Sequence, residues 1–168
     1  MRAMDTSEFA ERPNRIPWPP LLYAITAAIA FALHWYIRPL PWPQGPVQYL
    51  LAAAGIFLIA AAIAIDMAAM NTFRSHHTTI RPHRGATALV TDGPFRWSRN
   101  PIYVGNTLLV AGAGLLLGVA WLIPAAFAGA ILVQKLAIER EEAHLAAKFG
   151  AAWQDYAART PRWIGRPR

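Results

Sequence analysis

The sequence predicts an all-α integral membrane protein with about four transmembrane helices, polar segments gathered on one membrane face, and an amphipathic helix near the C-terminus. Three observations carry this. Hydrophobic residues make up 55% of the 168 positions and charged residues 15%, with a mean hydropathy of +0.27, whereas an average soluble domain is about a quarter charged. Apolar stretches long enough to cross a bilayer recur along the chain. The basic residues lie almost entirely in the connections that would share one side.

Residues 1–17 are polar, mixed in charge and broken by Pro13 and Pro17. No cleavable signal peptide is expected, because Arg2, Asp5, Glu8, Glu11, Arg12 and Arg15 precede any apolar run. The first apolar run is 18–37, with no Asp, Glu, Lys or Arg and one histidine, His34. Pro39, Pro41, Pro43 and Pro46 end it. The second run, 47–70, holds one charge, Asp66. Each is long enough for a hydrocarbon core of roughly 30 Å at about 1.5 Å per residue.

Residues 71–100 carry five arginines and three histidines, and 101–134 then carry no charge. One helix over that stretch would run roughly 50 Å, too long for a single crossing. Gly118, after the small residues Gly112, Ala113 and Gly114, is the natural turn, so two helices are predicted, at about 101–117 and 119–138. Beyond Glu139 the chain becomes charged and amphipathic, and Gly150 suits a helix C-cap. The whole of 1–168 reads as one domain.

Fourteen of the 16 lysines and arginines lie in 1–17, 71–100 or after residue 138; Arg38 and Lys135 are the others. The positive-inside tendency puts both termini and 71–100 in the cytoplasm, which requires an even number of crossings and agrees with four. A bacterial inner membrane is the expected location. This asymmetry accounts for the net charge of +7 without nucleic acid. The absence of cysteine excludes disulfides, thiolate catalysis and thiolate metal sites.

Chemistry is expected in two polar segments, 71–103 and 139–164. In the first, Gly93-Pro94 and Asn100-Pro101 mark turns, and Pro101 suits the first turn of a helix. Arg99 and Asn100 would then sit at a helix N-terminus, where free N–H groups and the dipole favour an anion; the structural reading is an arginine anchored at lipid headgroups. In the second, Ile138, Leu145 and Phe149 share an apolar stripe that includes Glu142. A carboxylate there is costly unless paired. It either binds a ribose diol, an ammonium or a sulfonium charge, or pairs with an arginine of 71–100. Glu141 lies beside it.

The run Arg99-Asn100-Pro101-x-Tyr103-x-Gly105 resembles the Arg-His/Asn-Pro-x-Tyr motif of isoprenylcysteine carboxyl methyltransferases and related phospholipid methyltransferases. Glu141-Glu142-x-x-Leu145-x-x-x-Phe149-Gly150-x-x-Trp153-x-x-Tyr156, then Arg159-x-Pro161, resembles that family's C-terminal signature. The likeness covers about 76–164. It implies S-adenosylmethionine as cofactor, bound by Leu89, Val90, Gly93, Asn100, Tyr103, Glu141 and Glu142. Asn100 and Tyr103 would hold its amino-acid end, Glu141 and Glu142 its ribose or amino groups, and Leu89 and Val90 its adenine. Glu142, Arg99 and Tyr103 are the implied catalytic residues. The acceptor would be lipid-like or amphiphilic, presenting a carboxylate, amine or thiol and entering from the bilayer. Asn100 departs from the His of the eukaryotic carboxyl methyltransferases, which leaves the substrate open.

Two other readings compete. Sterol and steroid reductases, which use a dinucleotide phosphate, share a similar Arg-His-Pro-x-Tyr and C-terminal segment. A non-catalytic scaffold binding anionic lipid would leave Glu142 unexplained. His76, His77 and His83 show no metal-ligand spacing, so no metal is expected. Asp66 is costly in lipid and is expected to make a helix–helix hydrogen bond.

Overall fold

The computed structural model describes residues 18–37, 40–76 and 88–165. Among these the regular structure is helical, with no strand. Helix α1 spans Trp18–Ala32 and ends in a wide π-helical turn, Leu33–Ile37. Helix α2 spans Pro46–Ser75, a short 3₁₀ turn covers Gly93–Arg96, and α3 spans Pro101–Leu117. Helix α4, Leu122–Val133, continues through a second π-helical turn, Gln134–Ile138, into α5, Glu139–Phe149. Helix α6 spans Ala151–Arg159. Three stretches, Pro19–Ile37, Pro46–Ser75 and Leu122–Phe149, are long and apolar enough to cross a membrane, and the 17-residue α3 is a shorter apolar helix. The protein is an all-α membrane protein.

Two boundaries differ from the sequence expectation. Helix α2 runs to Ser75 rather than 70, because polar residues end an apolar run without ending a helix; Thr72 Oγ1 returns its hydrogen bond to the Ala68 carbonyl and Ser75 Oγ to that of Thr72. The fourth helix starts at Leu122 rather than 119 and does not stop at 138. Val119–Trp121 form a turn after Gly118, closed by the Leu122 amide on the Val119 carbonyl at 2.9 Å. Gly118 has φ +69°, a conformation that costs a side-chain-bearing residue but not glycine. The continuous helix to Phe149 would be roughly 40 Å long, enough to carry α5 beyond the hydrocarbon.

The described residues form two compact units. One, apolar, comprises 19–66 and 102–133; the other, polar, comprises Trp18, 67–76, 88–101 and 134–165. In the apolar unit α2 and α3 meet through glycine: a Cβ on Gly112 would lie 2.8 Å from the Gly55 carbonyl oxygen, so only glycine allows that approach. Tyr23 of α1 lies against α3, its hydroxyl 3.1 Å from the Tyr103 carbonyl, to which it donates, and 2.6 Å from Thr107 Oγ1. Ala30, Val119 and Leu122 form a buried cluster. The outer side chains of α2 stay uncovered by protein, Leu50 and Phe57 being about 70% exposed, as lipid contact requires.

Candidate functional site

The polar unit is built from both motif segments. At its base the 3₁₀ turn is fastened to the last turns of α2. Gly93 lies on Thr72, the Phe73 and Phe95 rings are 4.9 Å apart, and His76 Nε2 is 2.9 Å from Asp92 Oδ1. The hydrogen bond from His76 holds the Asp92 carboxyl below the usual carboxylate range. Tyr156 of α6 donates to the Phe95 carbonyl at 2.8 Å from a buried position, and burial pushes its phenol well above the ordinary value.

The C-terminal residues 160–165 form a strap over the Trp97–Asn100 run. The Arg99 amide donates to the Pro161 carbonyl at 3.0 Å and the Gly165 amide to that of Trp97 at 3.3 Å. Asn100 Nδ2 donates to the Arg162 carbonyl at 3.0 Å, and the Asn100 amide to Ser98 Oγ, also at 3.0 Å. Trp163 Nε1 donates to Gln134 Oε1 at 2.7 Å. The strap thereby sets Arg162 opposite α5. Arg162 Nε and Nη2 reach the two Glu142 oxygens at 3.0 and 2.6 Å, and Arg99 Nη1 reaches Glu142 Oε1 at 3.1 Å. The Glu142 bond raises the Arg162 guanidinium further still. Arg99 also lies over the Trp153 ring, 5.6 Å from its centroid.

The side chains of Arg99 and Glu142 are each 14% exposed. Glu139 Oε1 also lies 4.0 Å from Arg162 Nη1, so two carboxylates face the two guanidiniums, and among the described residues Arg99 Nε is buried with no hydrogen-bond partner. A buried N–H without an acceptor is costly, so this cluster is suited to receive a carboxylate or phosphate oxygen. It fits the anionic, amino-acid end of a cofactor better than a diol, because the Glu142 oxygens and the Asn100 amide are already engaged.

Of the sequence-predicted residues, Leu89, Val90, Gly93, Arg99, Asn100, Glu141 and Glu142 all belong to the polar unit, with Val90 buried and Leu89 and Glu141 half-buried. Arg99 and Glu142 touch. Tyr103 lies in the apolar unit, where its carbonyl receives Tyr23. Glu142 is not the unpaired carboxylate of an apolar stripe: the ion-pair reading applies, with a second arginine added. The buried face of α5 also differs, since His144 at 1% exposure, rather than Leu145 or Phe149, is its most buried side chain. Glu142, Leu145 and Phe149 keep one stripe of the regular α5, and the deepest burial falls instead on the face that carries His144. Arg162 and His144 escaped the sequence reading; the only signal for Arg162 was its place after the Arg159-x-Pro161 run. Of the three loop histidines, His76 pairs with Asp92, while His77 and His83 lie outside the described residues.

The sequence profile of the phospholipid methyltransferases matches residues 50–152. A Delta(14)-sterol reductase of Mus musculus is 28% identical over 157 residues, covering 87% of this chain and 35% of its own length. A nickel-cobalt-cadmium resistance protein of Alcaligenes xylosoxydans xylosoxydans is 35% identical over 86 residues, 49% of this chain and 38% of that protein. The chain thus spans little more than a third of the length of these curated relatives.

Proposed function

This chain belongs to the phospholipid methyltransferase family, and from that premise we propose that it transfers a methyl group from S-adenosylmethionine to a lipid-like acceptor at the cytosolic membrane face. The observation that carries the reading is the Arg99–Glu142–Arg162 cluster, which joins the two motif segments and leaves the buried Arg99 Nε without an acceptor. Arg99 would hold the carboxylate of the cofactor's amino-acid end. Glu142 and Arg162 orient Arg99 and keep its guanidinium from turning to solvent. Val90 and Leu89 would border the adenine, Glu141 the ribose or amino group, and Gly93 and Asn100 shape the wall beside them. Tyr103 is retained as a catalytic candidate on the family resemblance alone.

The cofactor supplies an electrophilic methyl on a sulfonium. What remains for the chain is orientation and exclusion of water. A carboxylate or thiolate acceptor needs no base, whereas an amine acceptor must lose a proton. Four crossings with cytoplasmic termini, in a bacterial inner membrane, complete the proposal. The acceptor's tail would stay in lipid, so each added CH₂ should contribute roughly 0.8 kcal/mol to its binding. The test is transfer of radiolabel from methyl-labelled S-adenosylmethionine to membrane extracts, with the labelled species identified. Extracts that remain unlabelled by folded protein would defeat the assignment.

A second reading rests on the sterol reductase of Mus musculus, whose likeness covers 87% of this chain. A reductase of that kind would bind NADPH. Titrating the purified protein with each labelled cofactor separates the two: saturable NADPH binding without S-adenosylmethionine binding selects the reductase.

A further inference from the structure

Two large apolar side chains of the polar unit stand in the open outside any helix: Trp97, 57% exposed, and Ile164, 70% exposed. One hydrogen bond joins their segments, from the Gly165 amide to the Trp97 carbonyl at 3.3 Å. The residues around them are spent on the unit's own contacts. Phe95 and Ser98 are buried, Trp163 Nε1 is held by Gln134 Oε1, and the Arg162 side chain is committed to Glu142. The strap therefore leaves Ile164 out beside the run that leaves out Trp97.

Basic residues flank this apolar pair. Arg96, next to Trp97, is exposed. From residue 156 to 168 the sequence holds Arg159, Arg162, Arg166 and Arg168 and no acid. Over its described residues the polar unit carries eight lysines and arginines against five acids, a net charge of +3 with histidine neutral. Position in the chain matters as well. Trp97 is four residues from Pro101, where the uncharged helix α3 begins, so chain length alone keeps it within about 14 Å of that start. An exposed tryptophan and isoleucine flanked by arginine suit a bilayer surface: ring and alkyl group enter the headgroup boundary while guanidiniums stay with the phosphates. An acidic protein or a nucleic acid would use the arginines but would offer Ile164 no apolar phase.

We propose that Trp97 and Ile164 form an interfacial anchor that docks the polar unit on a bilayer surface containing anionic phospholipid, with Arg96 at the phosphates. The anchor is separate from the Arg99–Glu142–Arg162 cluster, whose ion pairs use neither side chain. It does not depend on the methyl-transfer reading. The two are nonetheless linked through the strap's backbone, because the segment that puts out Ile164 also carries Arg162 to Glu142 and the Pro161 carbonyl to Arg99. Lipid that holds Ile164 therefore steadies the strap on which the cluster is built.

The sequence has no cysteine, so Ile164→Cys in the full chain can carry a single nitroxide. The protein is reconstituted, without cofactor, in vesicles of phosphatidylcholine mixed with phosphatidylglycerol and in vesicles of phosphatidylcholine alone. Electron paramagnetic resonance then reads collisions of the label with a nickel chelate, which stays in water, and with oxygen, which enters lipid. Asp155→Cys, exposed on α6, is the aqueous reference. In the mixed vesicles the label at 164 should meet nickel about fivefold less often than the label at 155, and oxygen more often. That shielding should weaken in phosphatidylcholine alone and on adding Arg96→Gln. In the unmodified chain, hydroxyl-radical footprinting should oxidise Trp97 less in mixed vesicles than in phosphatidylcholine, with the buried Trp153 unchanged. Equal nickel contact at 164 and 155, or equal shielding in the two lipids, overturns the proposal. So does shielding from nickel and oxygen alike that deepens with protein-to-lipid ratio, the mark of a second copy on this face. Equal oxidation of Trp97 in both lipids overturns it even if the label at 164 disturbs the strap.

Discussion

Replacing Glu142 by Gln keeps the side chain's shape and removes the charge between two guanidiniums. Arg162 holds that carboxylate at 3.0 and 2.6 Å, and Arg99 at 3.1 Å. Removing one partner of a buried ion pair costs about 3–5 kcal/mol. Arg162 is 32% exposed, so water takes over part of its share, and the lower end, about 3 kcal/mol, is the expected loss. The assay is equilibrium unfolding in mixed micelles for wild type, Glu142→Gln, Arg162→Gln and the double variant. The double variant should lose less than the sum of the singles, by about 1–3 kcal/mol. Arg162→Lys should behave nearly as Arg162→Gln, because an ammonium cannot make the two-point contact. Under the methyl-transfer reading, Glu142→Gln should also weaken S-adenosylmethionine binding more than tenfold by calorimetry, through loss of Arg99 orientation. Additivity of the two single variants within about 0.5 kcal/mol would refute the claim that these residues hold one another.

Tyr156→Phe removes the donor to the buried Phe95 carbonyl, and should cost about 1–3 kcal/mol, read as earlier amide exchange at Pro94–Ser98 in hydrogen-exchange mass spectrometry. The Asp92 carboxyl is depressed first by its His76 hydrogen bond. Its stabilisation is therefore complete above the unfolded value of about 3.9 and lost as pH falls through the lower folded value. Asp92→Asn should accordingly be less stable than wild type at about pH 6, with the gap closing below about pH 4; a gap constant across that window would exclude the contact. Single cysteines at Gln44 and Gly165, treated with an impermeant reagent on intact cells, should label only at Gln44, and labelling at Gly165 alone would reverse the topology.

Much of the fold was legible because membrane helices announce themselves through one overriding effect, the exclusion of charge from hydrocarbon. That exclusion marks the limits of apolar runs, not of helical hydrogen bonding. Hence the sequence pattern sets Asn71–Ser75 in a loop although they continue α2, and it separates the helix beyond Ile138 from α4 although no break occurs. Gly118 was visible for a different reason: a backbone that must take φ +69° selects glycine. The π-helical turn at Gln134–Ile138 left no such mark.

At the candidate site, the sequence exposed the two segments and the awkward position of Glu142, but not how the carboxylate is satisfied. Its nearest partner comes from a residue 20 positions away in a non-periodic strap, and contacts of that kind have no local signature. The strap explains why the signals fall where they do. Pro161 supplies a carbonyl to Arg99, the Arg162 backbone serves Asn100 while its side chain serves Glu142, and Trp163 reaches Gln134. Every one of these three consecutive residues is tied to a distant element, so the segment is constrained by long-range bonding rather than by helical period. The same geometry makes Arg99 the point where both motifs converge. Its Nη1 is committed to Glu142, its amide to Pro161 and its plane to Trp153, and its buried Nε has no acceptor among the described residues. A guanidinium held by Glu142 and Trp153, on a backbone pinned to Pro161, cannot turn to solvent for that acceptor, so an anion arriving at Nε meets a donor whose orienting entropy has already been lost in folding.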